Sequence, residues 1–150
     1  MIRILVAEDN AVNRELLREL LEARGYTVFE ACDGQEALRM IEETKPELLL
    51  LDIGMPVLDG FGVIRKIREN LRLAPLPVVA VTAYAMRGDR EKILASGFDG
   101  YLSKPLNPSS LTAELDRLLP KSAQSAEKDQ GVADQGGSKD WSTRASGSGA

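Results

Sequence analysis

Four short apolar runs in this chain each end on a polar residue able to do chemistry. Ile2 to Ala7 runs into Glu8-Asp9, Leu48 to Leu51 into Asp52, Val78 to Val81 into Thr82, and Tyr101-Leu102-Ser103 into Lys104. Brought into one crevice, these positions combine three carboxylates, a hydroxyl and an ammonium. Two carboxylates ~5 Å apart repel by ~3 kcal/mol at an effective dielectric near 20, so three together require a compensating cation. Mg²⁺ favours a few carboxylates plus waters and phosphate oxygens. Such a crevice suits a divalent cation and a phosphoryl group.

The elements that would bring these residues together are legible in the hydrophobic pattern. Short unbroken apolar runs alternating with helix-period segments read as buried parallel strands of a βαβ sheet. In open sheets of that kind, ligands bind outside the carboxyl ends of the strands. After the first strand, Val12, Leu16, Leu17, Leu20 and Leu21 keep helical spacing and stop before Gly25. Thr27 to Ala31 reads as the second strand. Ala37, Leu38 and Ile41 mark a second helix that ends at Thr44-Lys45-Pro46, and Phe61, Ile64, Ile67 and Leu71 mark a third. Pro75 and Pro77 bracket the entry to the fourth strand. A fourth helix over about Arg87 to Ala95 has only Ile93 and Leu94 as strong anchors, a stripe thin enough to predict a mobile element. Asn107 and Pro108 open the last helix, with Leu111, Leu115, Leu118 and Leu119 facing inward. The expected fold is a doubly wound α/β sandwich of three layers, with five parallel strands and right-handed crossovers.

At 150 residues the chain suits one domain. Its mild net charge of −4, without a basic block, argues against a nucleic-acid footprint. No run reaches membrane-span length and no signal peptide precedes the first strand, so a cytoplasmic protein is expected. Cys32 is the single cysteine; its place beside an apolar strand predicts core filling rather than a reactive thiol. The absence of histidine excludes imidazole ligands and triads, so any phosphohistidine must belong to a partner. From Lys121 to Ala150 there is no Leu, Ile or Phe, and the charges cancel. Residues 121–150 are therefore expected to be a disordered tail, a linker or a cloning remnant, with Trp141 the one residue able to dock.

Five segments together carry a family resemblance: Ala7-Glu8-Asp9-Asn10, Leu51-Asp52, Met55-Pro56-Val57-Leu58-Asp59-Gly60, Val81-Thr82-Ala83 and Tyr101-Leu102-Ser103-Lys104-Pro105, in that order at strand ends, with the helices between them. Over residues 1–120 the chain resembles the receiver domain of two-component response regulators. The resemblance implies a flavodoxin-like sheet of order 2-1-3-4-5, an order for which a receiver is a standard example. It makes Asp52 the phosphoacceptor, whose carboxylate attacks a phosphohistidine in line to give an acyl phosphate. Asp9 and Asp52 become metal ligands, the Gly54 carbonyl adds a third, and Glu8 acts through a water. Lys104 reaches Asp52 and then the phosphoryl oxygens, and its bond to Pro105 is expected to be cis. Thr82 and the Ala83 amide bind the phosphoryl group, and Tyr101 matches the switch aromatic. Asp59-Gly60 shapes the loop into the third helix. Gly54 and Tyr84 hold positions that influence dephosphorylation rate.

The implied partner is a histidine kinase or histidine phosphotransfer protein, docking on Asn13, Arg14, Leu17, Pro105 and Leu106. Phosphorylation would bias helix four, strand five and helix five toward an active arrangement. The downstream target and a homodimer formed on activation stay open, as does a stand-alone protein against a piece of a hybrid kinase. Three other readings remain. A pseudo-receiver would serve as an interaction module without taking phosphate. A flavin protein of this fold needs a Ser/Thr/Gly-rich loop where Glu8-Asp9-Asn10 stands, and an aspartate-nucleophile hydrolase usually carries its nucleophile on strand one.

Overall fold

The computed structural model describes residues 1–83 and 87–119. Tyr84, Pro120 and the expected tail with Trp141 lie outside the described residues. Five strands alternate with five helices: β1 (Arg3–Ala7), α1 (Ala11–Glu22), β2 (Thr27–Ala31), α2 (Gly34–Thr44), β3 (Leu48–Asp52), α3 (Gly60–Glu69), β4 (Val78–Thr82), α4 (Arg87–Ala95), β5 (Gly100–Ser103) and α5 (Pro108–Leu118). The sheet is parallel throughout, in the order β2-β1-β3-β4-β5.

The unbroken apolar runs become the central strands because both faces of the sheet are covered. Every residue of β3 and β4 is buried. Leu5, Ala7, Leu49, Leu51, Val78 and Ala80 pack against Ala37 and Ile41 of α2, Val63, Ile64 and Ile67 of α3, and Ile93 of α4. Strand alternation turns Ile4, Val6, Leu48 and Leu50 to the opposite face, where α1 and α5 supply buried Leu17, Leu21, Leu111 and Leu115. Each fully buried leucine side chain is worth about 1.5–3 kcal/mol. Register aligns the strand ends: Ala7 pairs with Leu51, Asp52 with Val81, and Thr82 with Ser103. The polar residues that follow therefore meet at one edge.

Side-chain caps fix where the helices start at that edge. Asn10, Asp33, Asp59 and Asn107 each accept a backbone N–H from the first turn of α1, α2, α3 and α5. Gly34 is required by close approach: a Cβ there would collide with the Leu58 backbone carbonyl, so only glycine lets α2 abut the loop after Asp52. The long connection from Asn70 to Pro77 is tied down by Arg68. Its guanidinium donates to the carbonyls of Ala74 (2.6 Å), Leu76 (2.8 Å) and Gly97 (2.9 Å) and to Asp99 (2.8 Å).

Four details depart from the sequence reading. Val12 and Leu16 are 74% and 41% exposed, because α1 turns Leu17 and Leu21 inward instead. Leu71 lies beyond the end of α3 and is exposed, and so is Leu94. Leu118 is half-buried while Leu119 closes the core. Cys32 is exposed rather than core filling. Strand pairing ends at Ala31, and Cys32 already sits in the turn, donating its N–H to Glu36 at 2.6 Å.

Candidate functional site

Glu8, Asp9, Asp52, Thr82, Ala83 and Lys104 line one cleft of about 330 Å³ at the carboxyl edge of the sheet. A roomier hollow lies elsewhere: about 420 Å³, lined by Pro46 and Pro77, which precede β3 and β4 at the opposite edge. Chemistry-bearing side chains, not volume, single out the cleft.

Asp52 ends the central strand and is buried. Its Oδ1 accepts the Gly54 N–H at 3.0 Å, and its Oδ2 accepts from Lys104 Nζ at 3.1 Å. The same ammonium stands 3.1 Å from Glu8 Oε1. Glu8 is 1% exposed, and its other oxygen accepts the Asn10 N–H at 3.0 Å. Burial pushes the Glu8 carboxyl up to about 7; the Asp52 carboxylate adds to the rise, while the Asn10 amide and Lys104 oppose it. Burial disfavours the Lys104 ammonium, but hydrogen bonds to Glu8 and Asp52 outweigh it and hold that group above its ordinary range. The Lys104–Pro105 bond is cis.

Asp9 is exposed beside this pair, and Glu8, Asp9 and Asp52 each offer an oxygen within 4.8 Å of the others. Three carboxylates against one ammonium leave a local deficit of positive charge, and the donors are hard oxygens. This set fits Mg²⁺. Burial first, and the Asp52 carboxylate after it, raise the Glu8 carboxyl to about 7, so a cation bound here would compete with a proton near neutrality.

Thr82 is buried at the end of β4, and Ala83 is exposed beside it. Tyr101 is half-buried on β5, with the Arg90 guanidinium 5.5 Å from its ring centre. Of the docking residues, Asn13 lines the cleft, Pro105 is exposed and Leu106 is half-buried. Leu17 is 1% exposed and cannot meet a partner, so it is removed from that group. The α1 face that is displayed carries Val12 and Leu16. Arg14 is engaged internally, by Glu30 of β2 at 2.9 Å and the Glu8 carbonyl at 2.8 Å. Burial opposes ionisation of Glu30, but Arg18 and Arg14 hold its carboxyl below the ordinary range. Sequence reasoning missed this pairing, whose partners lie 16 residues apart on different elements.

Comparison with known proteins gives this arrangement a lineage. The sequence profile of the response regulator receiver domain matches residues 4–116. The polar-differentiation response regulator DivK of Brucella anthropi is 40% identical over 104 residues, spanning 69% of this chain and 85% of DivK. The receiver domain of a Pseudomonas aeruginosa PAO1 sensor histidine kinase, solved with magnesium coordinated in its active-site cleft, superposes with a TM-score of 0.72 at 38% identity, covering 78% of this chain and 96% of that one. A co-crystal structure from Saccharomyces cerevisiae, of the histidine phosphotransfer protein Ypd1 with the receiver domain of Ssk1, matches with a TM-score of 0.71 at 31% identity, covering 78% of this chain and 88% of that one. Receiver domains are signalling switches rather than classical enzymes, and they typically bind Mg²⁺ at such an acidic site. Among the described residues, no helix is long and apolar enough to cross a membrane. A profile that spans every strand of the sheet, together with a relative of this identity, means that the chain belongs to the response regulator receiver domain family of two-component signalling.

Proposed function

We propose that Asp52 accepts a phosphoryl group from a partner's phosphohistidine, and that residues 1–120 form the phosphoacceptor domain. The carrying observation is the Lys104 ammonium shared at 3.1 Å between Asp52 and Glu8, in a cleft that also holds Asp9 and Thr82. An Asp52 oxygen attacks phosphorus in line; the P–O bond forms as the P–N bond breaks, and the electron pair leaves with the partner imidazole. Lys104 is already in contact with the acceptor and offers its charge to the arriving phosphoryl oxygens. Thr82 and the Ala83 amide lie across the cleft as hydrogen-bond donors. Glu8, Asp9, Asp52 and the Gly54 carbonyl would hold Mg²⁺, which when bound offsets charge on the carboxylates and the phosphoryl oxygens. Glu8 would act through a water, since its oxygens already face the Asn10 N–H and the Lys104 ammonium. Engagement of Thr82 then biases α4, Tyr101 on β5 and α5, and the chain itself promotes only its own phosphorylation and hydrolysis.

The donor, a histidine kinase or a histidine phosphotransfer protein in the cytoplasm, docks over Val12, Leu16, Asn13, Pro105 and Leu106. The yeast Ypd1–Ssk1 pair supports a phosphotransfer partner of this kind. Val12→Glu should slow transfer from such a protein while leaving phosphorylation by acetyl phosphate unchanged; equal loss with both donors would remove the docking surface.

The decisive experiment is intact mass after incubation with acetyl phosphate and Mg²⁺. The wild type should gain one base-labile phosphoryl group, and Asp52→Ala or EDTA-treated protein should gain none. If neither acetyl phosphate nor a phosphorylated histidine partner modifies a folded wild type, the chain is a pseudo-receiver that works as an interaction module.

A further inference from the structure

Asp9 is the exposed member of the acidic cluster, and Arg14 holds the loop that carries it at two points. The Arg14 backbone N–H donates to the Asn10 carbonyl at 2.9 Å, and its guanidinium Nη1 donates to the Glu8 carbonyl at 2.8 Å. The Glu8–Asp9 peptide is thus held by the Arg14 side chain, and the Asn10 carbonyl by the first backbone bond of α1. The Nε of the same guanidinium donates to Glu30 Oε1 on β2 at 2.9 Å. Both side chains of that pair are mostly buried, at 18% and 28% exposure. On the other flank, the Glu8 N–H donates to the Ala31 carbonyl at 3.0 Å, next to Glu30. Residues 8–10 are therefore stretched between the edge strand β2 and α1.

We infer that Arg14, oriented by Glu30, is a positioning residue for the metal site, holding the Glu8-Asp9-Asn10 backbone in the geometry that presents its carboxylates to the cation. This rests on the Mg²⁺ reading given above. A planar guanidinium suits the task because its donors point in fixed, different directions, so one side chain bridges a carboxylate and a carbonyl; a lysine ammonium lacks that fixed fork. Groups that orient metal ligands from behind typically cost 10–100-fold in metal affinity when they are removed. Electrostatics alone predicts the opposite sign, since removing a positive charge near the site would tighten a cation. The direction of the change therefore separates positioning from charge.

Arg18 supplies the internal control. It pairs with the other Glu30 oxygen at 2.6 Å and with Glu22 at 3.7 Å, its partners among the described residues. Arg18→Gln weakens the attachment of α1 to β2 without touching the Glu8 carbonyl.

The test titrates Mg²⁺ into the full metal-free chain and follows heat of binding together with the amide resonances of Glu8, Asp9 and Asn10. Arg14→Gln should weaken Mg²⁺ binding about tenfold and shift those amides before any metal is added. Glu30→Gln should move both readouts in the same direction, and Arg18→Gln should leave both as in wild type. Unchanged or tighter binding in a folded Arg14→Gln variant overturns the inference, as does an equal effect of Arg18→Gln. Should Arg14→Gln fail to fold, Arg14→Lys decides by the same two readouts: it keeps the charge and loses the fixed fork, so weaker binding with shifted amides supports the brace and wild-type behaviour overturns it. If wild type itself binds no Mg²⁺, the metal reading above fails, and amides of residues 8–10 that stay unshifted in Arg14→Gln overturn the brace separately.

Discussion

α1 lines the acidic side of the cleft and α4 shares a neighbouring hollow with Thr82, yet the two helices are held by different forces. α1 is capped by Asn10, buries Leu17 and Leu21, and is tied to β2 by two arginines on Glu30. Among the described residues of α4, Ile93 is the one buried side chain. Two exposed cations of α4 instead lie over aromatic rings on opposite flanks: Arg90 over Tyr101 of β5 at 5.5 Å, and Lys92 over Phe61 of α3 at 5.1 Å. The acidic side of the cleft thus rests on a pinned element, while the Thr82 side adjoins one with little apolar anchorage. A switch needs that asymmetry: a site rigid enough to hold its ligands, beside an element cheap enough to move.

The largest expected effect tests the asymmetry directly. Leu17→Ala should cost about 2–5 kcal/mol of global stability, as large-to-small changes in a well-packed core do. Ile93→Ala should fall at the bottom of that range, with α4 amides exchanging through a local opening while those of β3 stay protected. Urea unfolding and native-state hydrogen exchange read both quantities. If the α4 amides exchange only with global unfolding in either variant, the contrast between the two helices is wrong.

Next in size is the pH dependence of the metal-free protein. The Glu8 carboxyl titrates near 4.5 in the unfolded chain and near 7 when folded. Between those values the folded state keeps a proton that the unfolded state has released. The stability this proton contributes is complete below pH 4.5 and is lost as pH rises through about 7, on the order of 3 kcal/mol. Glu8→Gln should flatten that slope. Mg²⁺ reverses its consequence: a proton on Glu8 competes with the cation, so apparent Mg²⁺ affinity should fall as pH drops below 7 in wild type and less in Glu8→Gln. Chemical denaturation across pH, with and without EDTA, checks both signs.

A smaller effect isolates the cap. Asn10→Ala removes the side-chain oxygen that accepts the Asn13 N–H at 2.9 Å, while the Asn10 backbone bond to Glu8 remains available. The expected cost is about 1 kcal/mol, with fraying confined to the first turn of α1. A loss of several kcal/mol would mean that the cap also governs the acidic loop.

What could be read from the sequence follows from how local each signal is. The strand ends were legible because an apolar run that ends on a charged or hydroxyl side chain marks its own stop, as Asp52, Thr82 and Lys104 do in the chain itself. The cap Asn107 was legible for the same reason, since a helix start is a matter of a few residues. Asp59, by contrast, read as shaping the loop, and its role as the α3 cap came from the structure. Which edge of α1 faces the sheet was not, because Val12, Leu16, Leu17, Leu20 and Leu21 form an apolar arc too wide to choose one direction. Leu71 keeps the helical period but lies past Glu69, where periodicity alone cannot say that the helix has ended. Arg14 reads as a solvent-facing helix residue until Glu30 is placed beside it by sheet pairing. Glu8 shows the same limit in the site: its chemistry is written in the sequence, but its burial depends on Asp52 and Lys104, distant in the chain.

The smallest effect concerns the two cations that hold α4 over its neighbours. Lys92→Met and Arg90→Met keep much of the apolar stem and remove the charge over Phe61 and Tyr101. Each exposed cation–π contact is worth about 0.5–1 kcal/mol, enough to change a two-state population roughly twofold or more. The two variants should not be equivalent. Arg90 lies over Tyr101 itself, so Arg90→Met should change the ring resonances of Tyr101 and the population of its rotamers in the unphosphorylated protein. Lys92 joins α4 to α3, so Lys92→Met should loosen α4 exchange with a weaker effect on Tyr101. If both variants shift Tyr101 equally, α4 moves as one body whose position sets the ring. If only Arg90→Met does, the ring is held by its own contact, and the soft side of the cleft contains two separable elements rather than one.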